Sequence, residues 1–123
     1  MGKNSPPRAI VNVFFDVQGT LVSGGRARPF AREALLEITQ MGHHPYLWSS
    51  AGSAYAASAA KLLEIEDLIF GCFGKNSHIP VTVDFAVDDH PDFAARHDGY
   101  TIPAFDGEPD DTELWKVVEQ LRR

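Results

Sequence analysis

Apolar and polar positions alternate along the chain in short blocks of two kinds. Ala9 to Asp16 (AIVNVFFD) is β-branched and aromatic with almost no polar break, the pattern of a strand buried on both faces of a parallel sheet. Gly19 and Thr20 end it, and SGGRARP reads as a short flexible loop. Pro29 suits the first position of a helix over Phe30 to Met41, whose Phe30, Ala34, Leu35 and Ile38 share one face, and Gly42 suits its stop. Pro45 to Ser49 (PYLWS) predicts a second strand, and Ser53 to Leu63 an alanine-rich helix with Ser53 as N-cap. Further strands are expected at Leu68 to Phe73, Val81 to Val87 and Gly99 to Ile102. A closing helix spans Asp110 to Leu121, with acids in its first turn and Arg122 and Arg123 past its end, as the helix dipole favours.

Strands alternating with helices predict a Rossmann-like, doubly wound α/β fold with a mainly parallel sheet and helices on both faces. No repeat or second domain is visible, so residues 9–123 form one expected domain behind a loose leader, Met1 to Arg8. Ligands of such folds bind outside the carboxyl ends of the strands. Asp16 ends the first strand, Ser49 the second, Asp88 and Asp89 the fourth, and Lys75 lies just past the third. These residues are expected to meet at one rim.

Composition narrows the function classes. With 11 basic and 17 acidic residues the formal charge is −6, so neither nucleic acid nor an anionic membrane surface is an expected partner. At 44% hydrophobic residues the chain is globular rather than disordered. The single cysteine, Cys72, excludes an internal disulfide and a cysteine-based zinc cluster, and points to a reducing compartment, most simply the cytoplasm. No apolar run approaches the roughly 20 residues that span a bilayer, and none resembles a signal peptide. Gly2 lacks the Ser or Thr at position 6 that myristoylation wants.

The rim residues suit one chemistry. Asp16, Asp88 and Asp89 repel one another unless a cation sits among them, and magnesium takes oxygen ligands together with a substrate phosphate. Aspartate accepts phosphoryl groups in covalent catalysis, Ser49 can hydrogen-bond a phosphoryl oxygen, and Lys75 can neutralise the charge on those oxygens. Each residue also has a purely structural reading. Asp16 suits a strand-end turn, and Asp88 and Asp89 suit a helix start. Ser49 competes with Ser50, either of which could cap the next helix, and Lys75 in GKNSH could simply be solvated. Arg26 and Arg28 lie in the flexible loop, Gly24 and Gly25 are a weak phosphate-loop signal, and the five histidines show no metal spacing and read as surface residues, with His90 nearest the site. Phe14, Phe15, Trp48 and Phe70 read as core.

FFDVQGTLV resembles the first motif of the haloacid dehalogenase-like (HAD) superfamily, a strand followed by DxDGT and an apolar residue. YLWSS, Lys75 and VDFAVDDHPDF resemble its second, third and fourth motifs, in the same order over about Ile10 to Phe93, and the closing Glu113, Leu114 and Trp115 look like the end of that fold. The resemblance implies Asp16 as nucleophile and metal ligand, the Gln18 carbonyl, Asp88 and Asp89 as further ligands to Mg2+, and Ser49, Ser50 and Lys75 around the phosphoryl group. Asp92 matches an acid sometimes present at that offset.

Gln18 departs from the family. The phosphatases carry a second aspartate there, which protonates the leaving group and then activates water. General acid–base help is worth about 10²–10⁴-fold, and glutamine cannot supply it. The short spans from Gly19 to Trp48 and from Gly52 to Lys75 leave no room for a cap domain, which in the family goes with macromolecular substrates or a homo-oligomer whose neighbour covers the site. Two function classes result: a magnesium-dependent phosphohydrolase, slowed at position 18, or a catalytically weakened module that binds a phosphorylated ligand or a protein partner.

Overall fold

β1 (Asn12–Asp16) runs through the middle of a five-stranded sheet in the computed structural model, which describes residues 9–122. On one side it pairs with β4 (His44–Ser49), which pairs in turn with β5 (Cys72–Gly74). On the other it pairs with β6 (Phe85–Asp88), which carries β7 (Tyr100–Thr101) at the edge. Every pairing is parallel, and the order is β5-β4-β1-β6-β7. A central parallel strand is covered on both faces, which is why β1 is apolar almost throughout. Val13 and Phe15 face one core cluster and Phe14 the other, all fully buried. Burying each phenylalanine contributes about 2–3 kcal/mol.

α1 (Ala31–Gln40), α2 (Ser53–Leu62) and α4 (Leu114–Leu121) share the first face, where Leu35, Ile38, Ala56, Ala60, Val117 and Val118 pack against Val13, Phe15, Leu47 and Val87. The second face is covered by Phe93 of α3 (Pro91–Arg96) and by Ile79, Val81 and Val83 of the crossover from β5 to β6, over Phe14, Tyr46, Trp48 and Ala86. Crossovers of one hand explain the division. α1 and α2 carry the chain from the centre towards β5, whereas α3 carries it from β6 towards β7, so the helices fall on opposite faces. The result is the doubly wound, mainly parallel α/β fold read from the sequence, with no inserted cap among the described residues.

Several local expectations are corrected. The loop read as flexible holds a hairpin, β2 (Val22–Ser23) with β3 (Arg26–Ala27). Gly24 and Gly25 both take positive φ (57° and 75°), as a tight two-residue hairpin turn requires. α1 starts after Phe30, not at Pro29, because Phe30 takes a left-handed conformation that lets its ring meet Trp115 at 5.7 Å. Ser53 is the first residue of α2 and Gly52 its N-cap. The third strand lies at Cys72–Gly74, later than expected, because Leu68 is spent in the turn where Leu68 and Ile69 bond back to Ile65. The fourth begins only at Phe85, residues 81–83 serving as the crossover's cover instead. α4 begins at Leu114 rather than Asp110, because Asp111 is turned towards Arg28. α3 follows the acids that suited a helix start, but it begins at Pro91 with His90, not Asp88 or Asp89, as its N-cap.

Phe70, expected in the core, is exposed and stacks on His44 at the sheet edge, with ring centroids 3.9 Å apart. His43, expected at the surface, is buried, and its Nδ1 accepts a hydrogen bond from the Val11 amide. Met1 to Arg8 lie outside the described residues, as does Arg123. Among the described residues no helix is long and apolar enough to cross a membrane.

Candidate functional site

Strand register alone brings the rim residues together. Phe15 is level with Leu47 of β4 and with Val87 of β6, so the next residues, Asp16 and Asp88, stand side by side as their strands end. Ser49 is level with Gly74, which places Lys75 one step beyond. The Ser49 carbonyl then accepts the Lys75 amide at 2.9 Å and the Gly52 amide at 3.1 Å, tying the starts of two loops to one strand end.

The Lys75 ammonium lies 2.7 Å from Asp88 Oδ2 and 3.0 Å from Asp16 Oδ1, and only 5% of its side chain is exposed. It also sits 4.1 Å from the centre of the Phe93 ring and 5.7 Å from that of Trp48, within cation–π range. Burial by itself would push its pKa down. The hydrogen bond it donates to Asp88, with the charge of Asp16 behind it, outweighs burial and holds the ammonium above its ordinary value. Asp16 moves the same way for a different reason. Burial and the neighbouring Asp88 carboxylate raise its pKa from 3.8 to about 7, against the pull of Lys75. Thr20 Oγ1 donates to Asp16 Oδ2 at 3.2 Å, and the His90 amide donates to Asp88 Oδ1 at 2.9 Å.

Asp89 completes the group. One carboxylate oxygen from each of Asp16, Asp88 and Asp89 lies within 4.8 Å of the others. Three carboxylates against one ammonium leave two negative charges in excess when all are ionised, and all the donors are hard oxygens. A divalent cation of the oxygen-binding kind fits this set in charge and in ligand type. Gly19 makes room for the Asp89 carboxylate. Its φ of +86° is unfavourable for other residues, and a Cβ there would lie 2.5 Å from Asp89 Oδ2. Gly19→Ala is expected to cost about 1–2 kcal/mol of stability in backbone strain. It should also displace Asp89 and remove any rise in melting temperature on adding a divalent cation, which thermal unfolding with and without the cation would check.

Over this group opens a cleft of about 360 Å³, lined by Asp16, Gln18, Ser49, Ser50, Tyr55, Lys75, Asp88, Asp89, His90 and Phe93. All the proposed site residues thus reach one cleft. Asp92 is outside that lining, in the first turn of α3. Ser49 is buried, with its hydroxyl accepting the Ala51 amide at 3.0 Å, so it shapes the turn into α2 as well as facing the cleft. Gln18 is exposed at the mouth, and its Oε1 accepts the Tyr55 hydroxyl at 3.0 Å.

Three participants carried no signal of their own in the sequence. Tyr55 is the lone aromatic of an alanine-rich helix, and Phe93 belongs to the short α3. Arg28, assigned to a flexible loop, is the largest fully buried side chain. Its guanidinium pairs with both oxygens of Asp111 (2.9 and 3.0 Å) and donates to the carbonyls of Thr20 (3.1 Å) and Pro103 (2.9 Å). Together with the Phe105 amide on the Gly19 carbonyl (2.8 Å), it fastens the turn after β1 to residues 103–111. An arginine in a glycine-flanked stretch reads as solvated, and only its distant partners reveal otherwise. Compared with known proteins, the chain matches no family model and no curated sequence.

Proposed function

We propose that the chain is a magnesium-dependent phosphohydrolase of the HAD-like kind, working through an aspartyl phosphate on Asp16. The observation that carries this reading is the joint placement of Asp16, Asp88, Asp89 and Lys75 at the carboxyl rim of a parallel sheet, with Lys75 bridging two of the three carboxylates. Asp16, Asp88 and Asp89, with the Gln18 carbonyl as the resemblance implies, are the residues that would hold the ion. Bound there, Mg2+ supplies charge neutralisation to the phosphoryl oxygens and keeps Asp16 ionised.

The chain's own groups do the rest. Asp16 attacks phosphorus through a carboxylate oxygen. Lys75 offsets the charge spread over the phosphoryl oxygens, and Ser49 and Ser50 offer hydroxyls at the cleft wall to orient them. Low exposure of Asp16 and Lys75 keeps these interactions from being diluted by water. Water must then cleave the acyl phosphate without a side-chain base at position 18, so this second step is the slow one.

Phosphate release from an aryl phosphate, with and without magnesium, tests the reading. Turnover should require the ion, and Gln18→Asp should raise it by about 10²–10⁴-fold. No release in either protein, with ion binding demonstrated, would favour the second reading, a module that binds a phosphorylated ligand or a protein partner. The neutral Gln18 at the mouth is the observation on that side.

A further inference from the structure

Resting on the phosphohydrolase reading, we infer that the site takes phosphoryl donors whose leaving group departs as a stable anion: acyl phosphates, phosphoanhydrides and phosphorylated phenols, rather than alkyl phosphates. The neutral Gln18–Tyr55 pair at the mouth of the cleft carries the inference. Tyr55 donates its hydroxyl proton to Gln18 Oε1, which fixes the amide and leaves the Gln18 Nε2 hydrogens as the free donors of the pair. An amide can stabilise a departing oxygen by hydrogen bonding but cannot hand it a proton.

The charged groups at the floor of the cleft are committed elsewhere. Lys75 bridges Asp16 and Asp88. Asp88 also accepts the His90 amide. Asp16 is the attacking group, and Asp89 stands in the carboxylate cluster. His90 Nδ1 accepts from the Asp92 amide at 3.4 Å, and its ring is largely in solvent. In the first step a bond forms from an Asp16 oxygen to phosphorus, and the bond from phosphorus to the leaving oxygen breaks with its electron pair. That oxygen leaves as a carboxylate, phosphate or phenolate ion. In the second step water adds to phosphorus, the pair returns to the Asp16 carboxylate, and dihydrogen phosphate loses its extra proton to solvent. An alkoxide leaving group would need a proton in the first step; the Gln18 amide and the weakly acidic Ser49 and Ser50 hydroxyls cannot give one, which leaves the His90 ring at the cleft edge as the group that the His90→Asn arm of the test addresses.

The test measures kcat/KM with magnesium for acetyl phosphate, aryl phosphates of graded phenol acidity and a simple alkyl phosphate. Intact-protein mass after mixing with acetyl phosphate is read in parallel. The wild type should gain the mass of one phosphoryl group, and its rates should fall steeply as the leaving group becomes more basic. Gln18→Asp should raise the alkyl rate by about 10²–10⁴-fold while changing the acetyl phosphate rate by less than about tenfold. Tyr55→Phe and His90→Asn should lower all rates by similar factors. A flat wild-type dependence, or a selective loss of the alkyl substrate in Tyr55→Phe or His90→Asn, would overturn the inference and leave the hydrolase reading standing. Absence of phosphoryl transfer from every donor would overturn both.

Discussion

Asp16→Asn is expected to abolish phosphate release, by about 10⁴–10⁶-fold, while making the metal-free protein more stable at neutral and alkaline pH. The two effects have one cause. Asp16 is nearly buried beside Asp88, and its carboxyl is raised to about 7 by burial first and by that like charge second. The folded state therefore holds the proton more tightly than the unfolded chain, where the group titrates near 3.8. The fold's advantage from this group is complete below pH 3.8 and is lost as pH rises through about 7. A tenfold difference in proton affinity between the two states corresponds to about 1.4 kcal/mol, so the stabilisation of the asparagine variant above pH 7 is on the order of a few kcal/mol. Asparagine is close in shape and carries no charge to desolvate. Urea unfolding of the two proteins without metal should give the same midpoint near pH 4 and diverge in favour of the variant by pH 8. Equal midpoints at both pH values, or a less stable variant at pH 8, would contradict the strain assigned to Asp16.

Arg28→Met carries the second large effect, a loss of about 3–5 kcal/mol, the usual result of removing one member of a buried ion pair. The substitution leaves the Asp111 carboxylate facing an apolar side chain and takes the donors away from the Thr20 and Pro103 carbonyls. Burial would raise the Asp111 pKa, but the Arg28 guanidinium and the Glu113 amide outweigh it and hold the carboxyl below its ordinary 3.8. Its contribution is thus present above that value and lost in acid. Against a total stability of about 5–15 kcal/mol, the loss should shift the urea midpoint strongly. Arg28→Met combined with Asp111→Leu should recover part of it, because the second change removes the stranded charge. If the double variant is no more stable than the single one, the pair is not the source of the loss.

The sheet and the rim were legible because both rest on local pattern. The run AIVNVFFD fits a strand covered on two faces, which the structure forms over Asn12–Asp16, leaving Ala9 and Ile10 exposed ahead of it, and acids closing two such strands must meet wherever the strands pair in parallel. Lys75 followed by the same reasoning, through its place one step past Gly74. What stayed hidden depends on distant partners or on competition between local forces. Nothing near Arg28 in the chain announces Asp111, and nothing near Tyr55 announces Gln18. Phe70 looked like core because aromatic residues usually are, yet beside an edge strand it is exposed, its ring stacked on His44 and tilted against Tyr46. At Phe30 a ring contact with Trp115 overrode the preference of Pro29 for the first helical turn.

The fastening of the turn after β1 to residues 103–111 also fixes when the site can exist. A chain leaving the ribosome presents Asp16 and Gly19 long before Asp88 and Asp111 have been made. Until then β1 lacks its β6 neighbour, and the Thr20 carbonyl lacks a fixed guanidinium to hold it. Contacts so far apart in sequence form late, because the closure of a long loop must precede them. The Asp16 carboxylate is thus synthesised early and positioned last. A nascent or truncated chain that stops before Asp111 would carry Asp16, Asp88, Asp89 and Lys75 without the support that positions the first of them.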